Sequence, residues 1–409
     1  MNILYFTLED FTSIDNHHSI NTDLLREFKR HGHVVYAISP VEKRNGSETR
    51  VIKENGSVIL KPIIGNMQKT RSCIEKGINT LTIGHVLKKA IKKHMKNVKF
   101  DLLLYCTPPI TFLSAVEYVK KRDGAKTYLL LKDIFPQNAV DLGMMSKKGL
   151  KGIIYRYFRR QEKRLYAISD RIGCMSQANV DYVLKHNPEI NSKKVEVCPN
   201  CIEVIDKSID EETKIAIRKK YVLPLDKKVF IYGGNLGKPQ DVPFIIDCLR
   251  ACVDLDCYFL IVGSGTDWHL LEEYAEQEHP VNLTMIPYLP SNEYEKLVAA
   301  CDVGLIFLDH RFTIPNFPSR LLSYMSAKIP VLACTDRVSD VGKVITENGF
   351  GWWCESDDAK GFRSLVEDII AEKSLKRYSE LSFKYLEEFS SDKSFKKVAL
   401  FEIKGAALL

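Results

Sequence analysis

Three junctions in this chain carry the residue types that can hold a phosphate. The first is FIYGGNLGKPQ at 230–240, an apolar run ending in glycines, then Lys238, then a helical pattern. Glycine lets backbone amides approach an anion, and a helix start presents amides and partial positive charge. Gly234, Asn235, Gly237 and Gln240 fall on this turn. The second is FLIVGSGTDWHLLEEYA at 259–275, where Gly263 and Gly265 again join an apolar run to a helix. The third is FTIPNFPSRLLSYMSAKIPVLA at 312–333. Pro318 and Ser319 suit a first helical turn, whose free amides would lie beside Arg320. Arginine can fork two hydrogen bonds onto phosphate oxygens. Each junction also reads as a plain turn or as a capped helix with Leu321, Leu322 and Met325 in the core. Two glycine junctions at strand ends of one domain are harder to explain as turns alone.

Other polar groups stand at strand ends. Glu9 and Asp10 follow the first apolar run, His17 and His18 lie in the loop DNHHSIN (15–21), and Asp133 opens the turn DIFP. Each suits contact with a substrate or simple turn formation. His310 and Arg311 precede the third junction. The single Asp-x-Asp, Asp254-Leu255-Asp256, comes before a strand, at the wrong end for a site, so no metal is expected there. Cys198-Pro-Asn-Cys201 has redox spacing but opens a linker instead of a helix, and no second cysteine pair completes a zinc set. No Ser-His-Asp or paired-carboxylate pattern calls for a protein nucleophile.

The elements that position these groups follow from periodicity. Residues 2–6 and 33–39 read as buried strands around a helix from Asn21 to His31, which Gly32 ends. Strands also fit 102–106, 127–132, 170–175 and 194–198, with helices between them. A second set fits 228–232, 258–262, 283–286, 303–307 and 331–333, with helices at 241–253, 267–278, 291–301 and 318–327. Alternating strands and helices predict parallel α/β sheets, and 409 residues predict two domains.

The net charge of +7 is uneven: residues 1–205 hold 34 Lys and Arg against 20 Asp and Glu. The segments 85–99, with Val86, Leu87, Ile91 and Met95 among six lysines, and 153–166 would dock on anionic lipid or form solvated helix faces. No apolar run is long enough to span a membrane, and the start lacks the features of a signal peptide. The eleven cysteines are therefore expected to be reduced and mostly buried. No aromatic-basic motif suggests nucleic acid.

In this order, these loops resemble glycosyltransferase family four, retaining enzymes of the two-domain GT-B fold, over nearly the whole chain. Gly32-His33, CPNCIEV (198–204), GGNLGKPQ, VGSG, the stretch 282–307 and PSRLLSYMSAKIPV carry the resemblance. CTPPI (106–110), DIFPQNAVDLG (133–143), GNLGKPQ and PSRLLSYM look closest to capsule and O-antigen transferases, including those that move N-acetylfucosamine.

The resemblance implies two Rossmann-like domains facing a cleft: 1–205 for the acceptor, 206–385 for a nucleotide-sugar, and a C-terminal helix at 386–409 packing back on the first domain. It implies retaining, metal-independent transfer from a nucleotide diphosphate-sugar, expected to be UDP-linked, with no cofactor. The acceptor would be a glycan or lipid-linked glycan in bacterial capsule or O-antigen-type synthesis, at the cytoplasmic face of the membrane. Arg320, Lys238, Asp133 and His18 would be catalytic. Gly234, Asn235, Gly237, Gln240, Gly263, Gly265, Tyr288, Pro318, Ser319, Leu321 and Ser323 would hold the donor. His17, Thr107 and Pro108 would meet the acceptor.

The chain departs from the family pattern in three places. The first loop has no glycine, Asn235 replaces a phosphate-binding arginine, and the two family glutamates fall on Pro315 and Ser323. A catalytically silent GT-B partner subunit and a nucleotide-sugar epimerase are the alternatives.

Overall fold

Continuous apolar runs such as LLLYCT at Leu102–Thr107 and KTYLLL at Lys126–Leu131 have almost no polar face, so helices must cover both sides of the sheet they form. The computed structural model describes residues 1–46, 48–67 and 73–406. The chain divides into two units, Met1–Glu203 with the segment from Ser390, and Val204–Phe389.

The first unit is built on an eight-stranded sheet. In order, its strands are Val195–Val197, Arg171–Cys174, Lys126–Leu131, Leu102–Thr107, Asn2–Phe6, Val34–Ile38, Ser57–Lys61 and Arg50–Glu54. All neighbours are parallel except the last pair. That hairpin was not anticipated: the edge strand RVIKE is largely exposed and lacks the apolar run of a central strand. The strand order reverses between Asn2–Phe6 and Leu102–Thr107, which makes the ends of these two strands the topological switch point.

Helix Ser391–Ala406 belongs to this unit. Phe395 meets Phe28 edge-on at 4.9 Å and stacks on His31 at 3.9 Å between ring centres. Cys198 and Cys201 are buried in the same core as free thiols, and burial pushes Cys201 up to about 12. Neither thiol is placed for redox chemistry.

Of the two readings of 85–99, the structure favours a solvated basic face on a helix packed against the core. The apolar side chains of the 85–99 segment do not face outward: Leu87, Ile91 and Met95 lie in the protein core, so that helix has no free apolar stripe there for lipid. In 153–166, by contrast, Ile153, Ile154 and Tyr157 are exposed while Phe158, Leu165 and Tyr166 are buried.

The second unit has a six-stranded parallel sheet ordered Leu283–Ile286, Cys257–Ser264, Lys228–Asn235, Val303–Phe307, Val331–Thr335 and Gly351–Glu355. The last strand was not anticipated, because GWWCE has no uninterrupted aliphatic run. Helices Val242–Ala251, Trp268–Glu278 and Ala359–Ala371 send Phe244, Leu271, Phe362 and Val366 into one core with Phe230, Phe259 and Phe307. Here the order reverses between Lys228–Asn235 and Val303–Phe307. Among the described residues no helix is long and apolar enough to cross a membrane.

Candidate functional site

The glycine turn after Lys228–Asn235 and the segment leading from Val303–Phe307 to Arg320 flank the switch point of the second unit. In open α/β sheets a ligand sits at that place. Gly234 has φ +128°, a conformation that side chains disfavour. The neighbouring Gly-x-Gly serves backbone packing. A Cβ at Gly263 would lie 1.9 Å from the Gly234 carbonyl oxygen, and one at Gly265 would lie 1.9 Å from that of Leu236. The absence of these atoms lets Leu236 N–H donate to Ser264 O at 3.0 Å and Asp267 N–H donate to Leu236 O at 3.1 Å. Asn235 Nδ2 donates to Gln240 Oε1 at 2.9 Å, and Gly237 N–H donates to the same oxygen at 3.2 Å. Asn235 and Gln240 therefore shape the turn. Lys238 is exposed at its far side, where the short helical turn Lys238–Gln240 starts.

Helix Arg320–Ser326 starts two residues later than Pro318 suggested, and its first amides are not all free. Leu321 N–H donates to Pro318 O at 3.2 Å and Leu322 N–H donates to Ser319 O at 3.1 Å, as in a tight 3₁₀-type first turn. The Ser319 side chain forms no cap, and Leu321 is a core residue. The cation beside this start is the notable group. The Arg320 guanidinium lies 4.2 Å from the centre of the Tyr232 ring. Tyr232 is fixed by donating its hydroxyl to Asn235 O at 2.6 Å. The Tyr324 hydroxyl reaches Leu305 O at 3.0 Å, and Tyr294 fills the space that Gly233 leaves open. Burial works against the charge on Arg320, but Tyr232 and Tyr324 more than offset it, so the guanidinium stays protonated.

No carboxylate pairs with Arg320 among the described residues, and its buried Nη1 has no hydrogen-bond partner. Its Nη2 is 3.1 Å from where a Cβ on Gly234 would stand. A half-buried cation with one unpartnered nitrogen, beside a side-chain-free turn, has the charge and the donors to accept an anion. Tyr232, Tyr294 and Tyr324 were not singled out from the sequence: 92 positions separate the first from the last, and only the fold brings them together.

The remaining groups of this unit are placed as follows. Tyr288 is exposed, beyond strand Leu283–Ile286, and Ser323 is half-buried. Asp254 pairs with Arg363 and Asp256 with Lys227, as expected for a solvated turn. Asp241, Asp309 and His310, which sequence did not connect, bring possible metal-ligand atoms within 4.8 Å of one another. Asp309 already accepts from Arg311 N–H at 2.8 Å and from its Nε at 2.8 Å, so Arg311 supplies the charge that a cation would bring. That engagement also turns Arg311 inward to Asp309.

In the first unit, Glu9 organises the loop after strand Asn2–Phe6. Its carboxylate accepts from Ser19 Oγ at 2.9 Å and Asn21 Nδ2, and lies 2.9 Å from His17 Nε2. His18 Nδ1 accepts from Arg26 Nη2 at 2.9 Å, which leaves Nε2 as the nitrogen that carries hydrogen on an exposed ring. Thr107, expected at the acceptor, is buried and its hydroxyl donates to Asp133 O at 3.2 Å, so it supports the Asp133 turn; Pro108 is exposed.

Asp133 Oδ2 accepts from Asn138 Nδ2 at 2.7 Å, but Oδ1 is buried without a partner. Burial raises this carboxyl from 3.8 to about 6. Between these values the folded state binds the proton that the unfolded chain releases. The stability present below about pH 4 is therefore lost as pH rises through 6. Asp133→Asn is expected to raise the melting temperature at pH 7 and flatten its fall between pH 4 and 6, by roughly 3 kcal/mol at most. Melting curves of both proteins across that range check this; parallel curves would refute it.

Comparison with known proteins agrees with the two-unit α/β fold. Residues 213–383 match the family Glycosyl transferases group 1. WbjE of Pseudomonas aeruginosa, named as a glycosyltransferase, is 25% identical over 275 residues, 66% of this chain and 66% of that protein's length. WcaI of Escherichia coli (strain K12), named as a colanic acid biosynthesis glycosyl transferase, is 22% identical over 309 residues, 74% of this chain and 72% of that protein. Among solved structures, Anabaena Alr3699/HepE in complex with UDP-glucose superposes with a TM-score of 0.67 at 13% identity, covering all of both chains.

Proposed function

We propose that this chain, a glycosyltransferase with the GT-B fold, moves a sugar with retention from a UDP-linked donor to a glycan or lipid-linked glycan of the capsule or O-antigen type. The observation that carries the reading is Arg320, an unneutralised guanidinium held on Tyr232 with an unused donor edge beside Gly234. Relatives named for glycosyl transfer and a structural neighbour that binds UDP-glucose support the donor class.

When the bond between the anomeric carbon and the diphosphate oxygen breaks, its electron pair stays on that oxygen. Arg320 and Lys238 take up the growing negative charge. The acceptor hydroxyl attacks from the face the diphosphate leaves, and its proton passes to the leaving phosphate oxygen. No protein nucleophile is needed. On the first unit, Asp133, His17 and His18 are the groups available to orient an acceptor. The basic first half would hold the enzyme at an anionic membrane surface.

With two protein cations and Arg311 already compensating Asp309, turnover is expected to be unchanged by EDTA. Loss of activity that magnesium or manganese restores would overturn metal independence. The donor reading is tested by thermal shift with UDP, GDP, ADP and TDP, since a ligand bound to the native state alone raises its melting temperature. UDP is expected to give the largest shift. No shift with any diphosphate would sink the reading. Binding without transfer or hydrolysis of any UDP-sugar would instead support a silent partner subunit, to which the missing carboxylate at Ser323 points.

A further inference from the structure

A cavity of about 760 Å³ lies in the first unit, among helices Cys73–His94, Leu113–Asp123 and Gly149–Ile168. This is the volume of a small-molecule site. Its lining is mixed in a definite way. Leu81 and Tyr157 bring exposed apolar surface to it, and Tyr118 lies deeper. From Tyr157 the exposed face of the third helix continues through Ile154, Ile153 and Leu150, the last 84% exposed. The spacing 150, 153, 154 and 157 is one helical stripe, open to solvent where a stripe is normally buried.

The polar part of the lining is cationic. Lys88 of the lining, and Lys92 one turn further along its helix, place Nζ 5.5 and 5.0 Å from the centre of the Tyr118 ring, while Arg122, 5.7 Å from it, is paired with Asp123. Lys121 also lines the cavity. Among the described residues Lys88, Lys92 and Lys121 have no carboxylate partner. Glu117, the one acid in the lining, is held by Arg164 at 2.6 Å. Thr111 Oγ1 and Ser114 Oγ, by contrast, are buried, and Ser114 packs under Gly84 of the first helix, so the accessible polar groups are the cations. Cations without acidic partners beside an exposed apolar stripe complement an amphiphile with an anionic head.

We propose that this cavity is a binding site for an anionic phospholipid of the membrane surface. The phosphate would meet Lys88 and Lys121, with hydrocarbon against Leu81, Tyr157 and the exposed stripe. The proposal deepens the membrane contact suggested above and is independent of the transfer chemistry.

The test is flotation of the full chain with phosphatidylcholine vesicles, with and without phosphatidylglycerol, and with inorganic phosphate as competitor. Each sample is paired with a UDP thermal shift. Binding is expected only with phosphatidylglycerol, and to weaken about fivefold for each of Lys88→Ala and Lys121→Ala. Leu81→Trp adds apolar surface but fills the cavity mouth, so it is expected to abolish most binding. UDP shifts should be unchanged throughout. Lysine variants that bind like the parent would overturn the site. Leu81→Trp binding as tightly as the parent would show surface adsorption only, and full displacement by inorganic phosphate would show that no lipid is required. Vesicle binding that persists while no UDP shift is seen would remove the donor reading and leave this one standing.

Discussion

Arg320→Ala is expected to lower turnover about a hundredfold while changing donor affinity far less, the usual result of removing one preorganised charge from a developing anion. The effect falls on the rate because the diphosphate gains charge as its bond to the sugar breaks. The structure adds a reason for the size. The guanidinium is held on the Tyr232 ring and, among the described residues, by no acid, so its full charge is available and no ion pair must be broken when the substrate arrives. Arg320→Lys keeps the charge but not the planar stack or the fork, so it should recover only part of the rate. Tyr232→Leu should resemble Arg320→Lys, because it removes the shelf and leaves the cation. Steady-state kinetics with a UDP-sugar, with melting temperatures to confirm folding, decide the matter. Unchanged turnover in folded Arg320→Ala would move the phosphate elsewhere in the second unit.

How far this site could be read from sequence depends on which contacts are local. Strands buried on both faces were legible: 2–6 and 303–307 have the expected limits, because uninterrupted apolar runs have few other uses; 283–286 was placed as well, although it is a half-buried edge strand. The strand RVIKE at 50–54 was not, since an edge strand half in water carries polar residues that resemble a loop. The three glycine and arginine junctions were legible as places but not as roles. Gly263 and Gly265 carry the signal of a phosphate loop, yet what they permit is backbone against backbone. The first turn at Pro318 promised free amides, and local 3₁₀-type bonds use two of them. Burial direction was hardest of all. Leu87 and Ile91 lie inward and Ile153 and Ile154 outward, although both pairs stand among basic residues. Only the packing of neighbouring helices decides between them.

Gly263→Ala is expected to damage the second unit more than any single methyl group usually does. The new Cβ would stand 1.9 Å from the Gly234 carbonyl oxygen, and it would press on backbone that cannot turn aside as a flexible side chain can. Gly234 and Gly263 are partners in the parallel pairing of Lys228–Asn235 with Cys257–Ser264, so relief requires the strand ends to separate. Overpacking of this kind costs about 1–3 kcal/mol, or roughly 3–10 °C in melting temperature for a unit of this size. Function should suffer as well. Gly234 adjoins the Arg320 guanidinium, and a displaced turn would move backbone into the space proposed for the diphosphate. Donor affinity should therefore fall about tenfold or more, in contrast to the rate-selective loss in Arg320→Ala. Gly77→Ala is the control. It lies within helix Cys73–His94 with nothing within 4 Å of the added carbon, and should gain about 0.5–1 kcal/mol from helix propensity. The pair separates a steric clash from the general effect of replacing glycine. Gly263→Ala with parental melting temperature and UDP affinity would show that the two loops are not held as closely as Gly234 and Gly263 require, and the account of Arg320 that depends on the turn would fall with them.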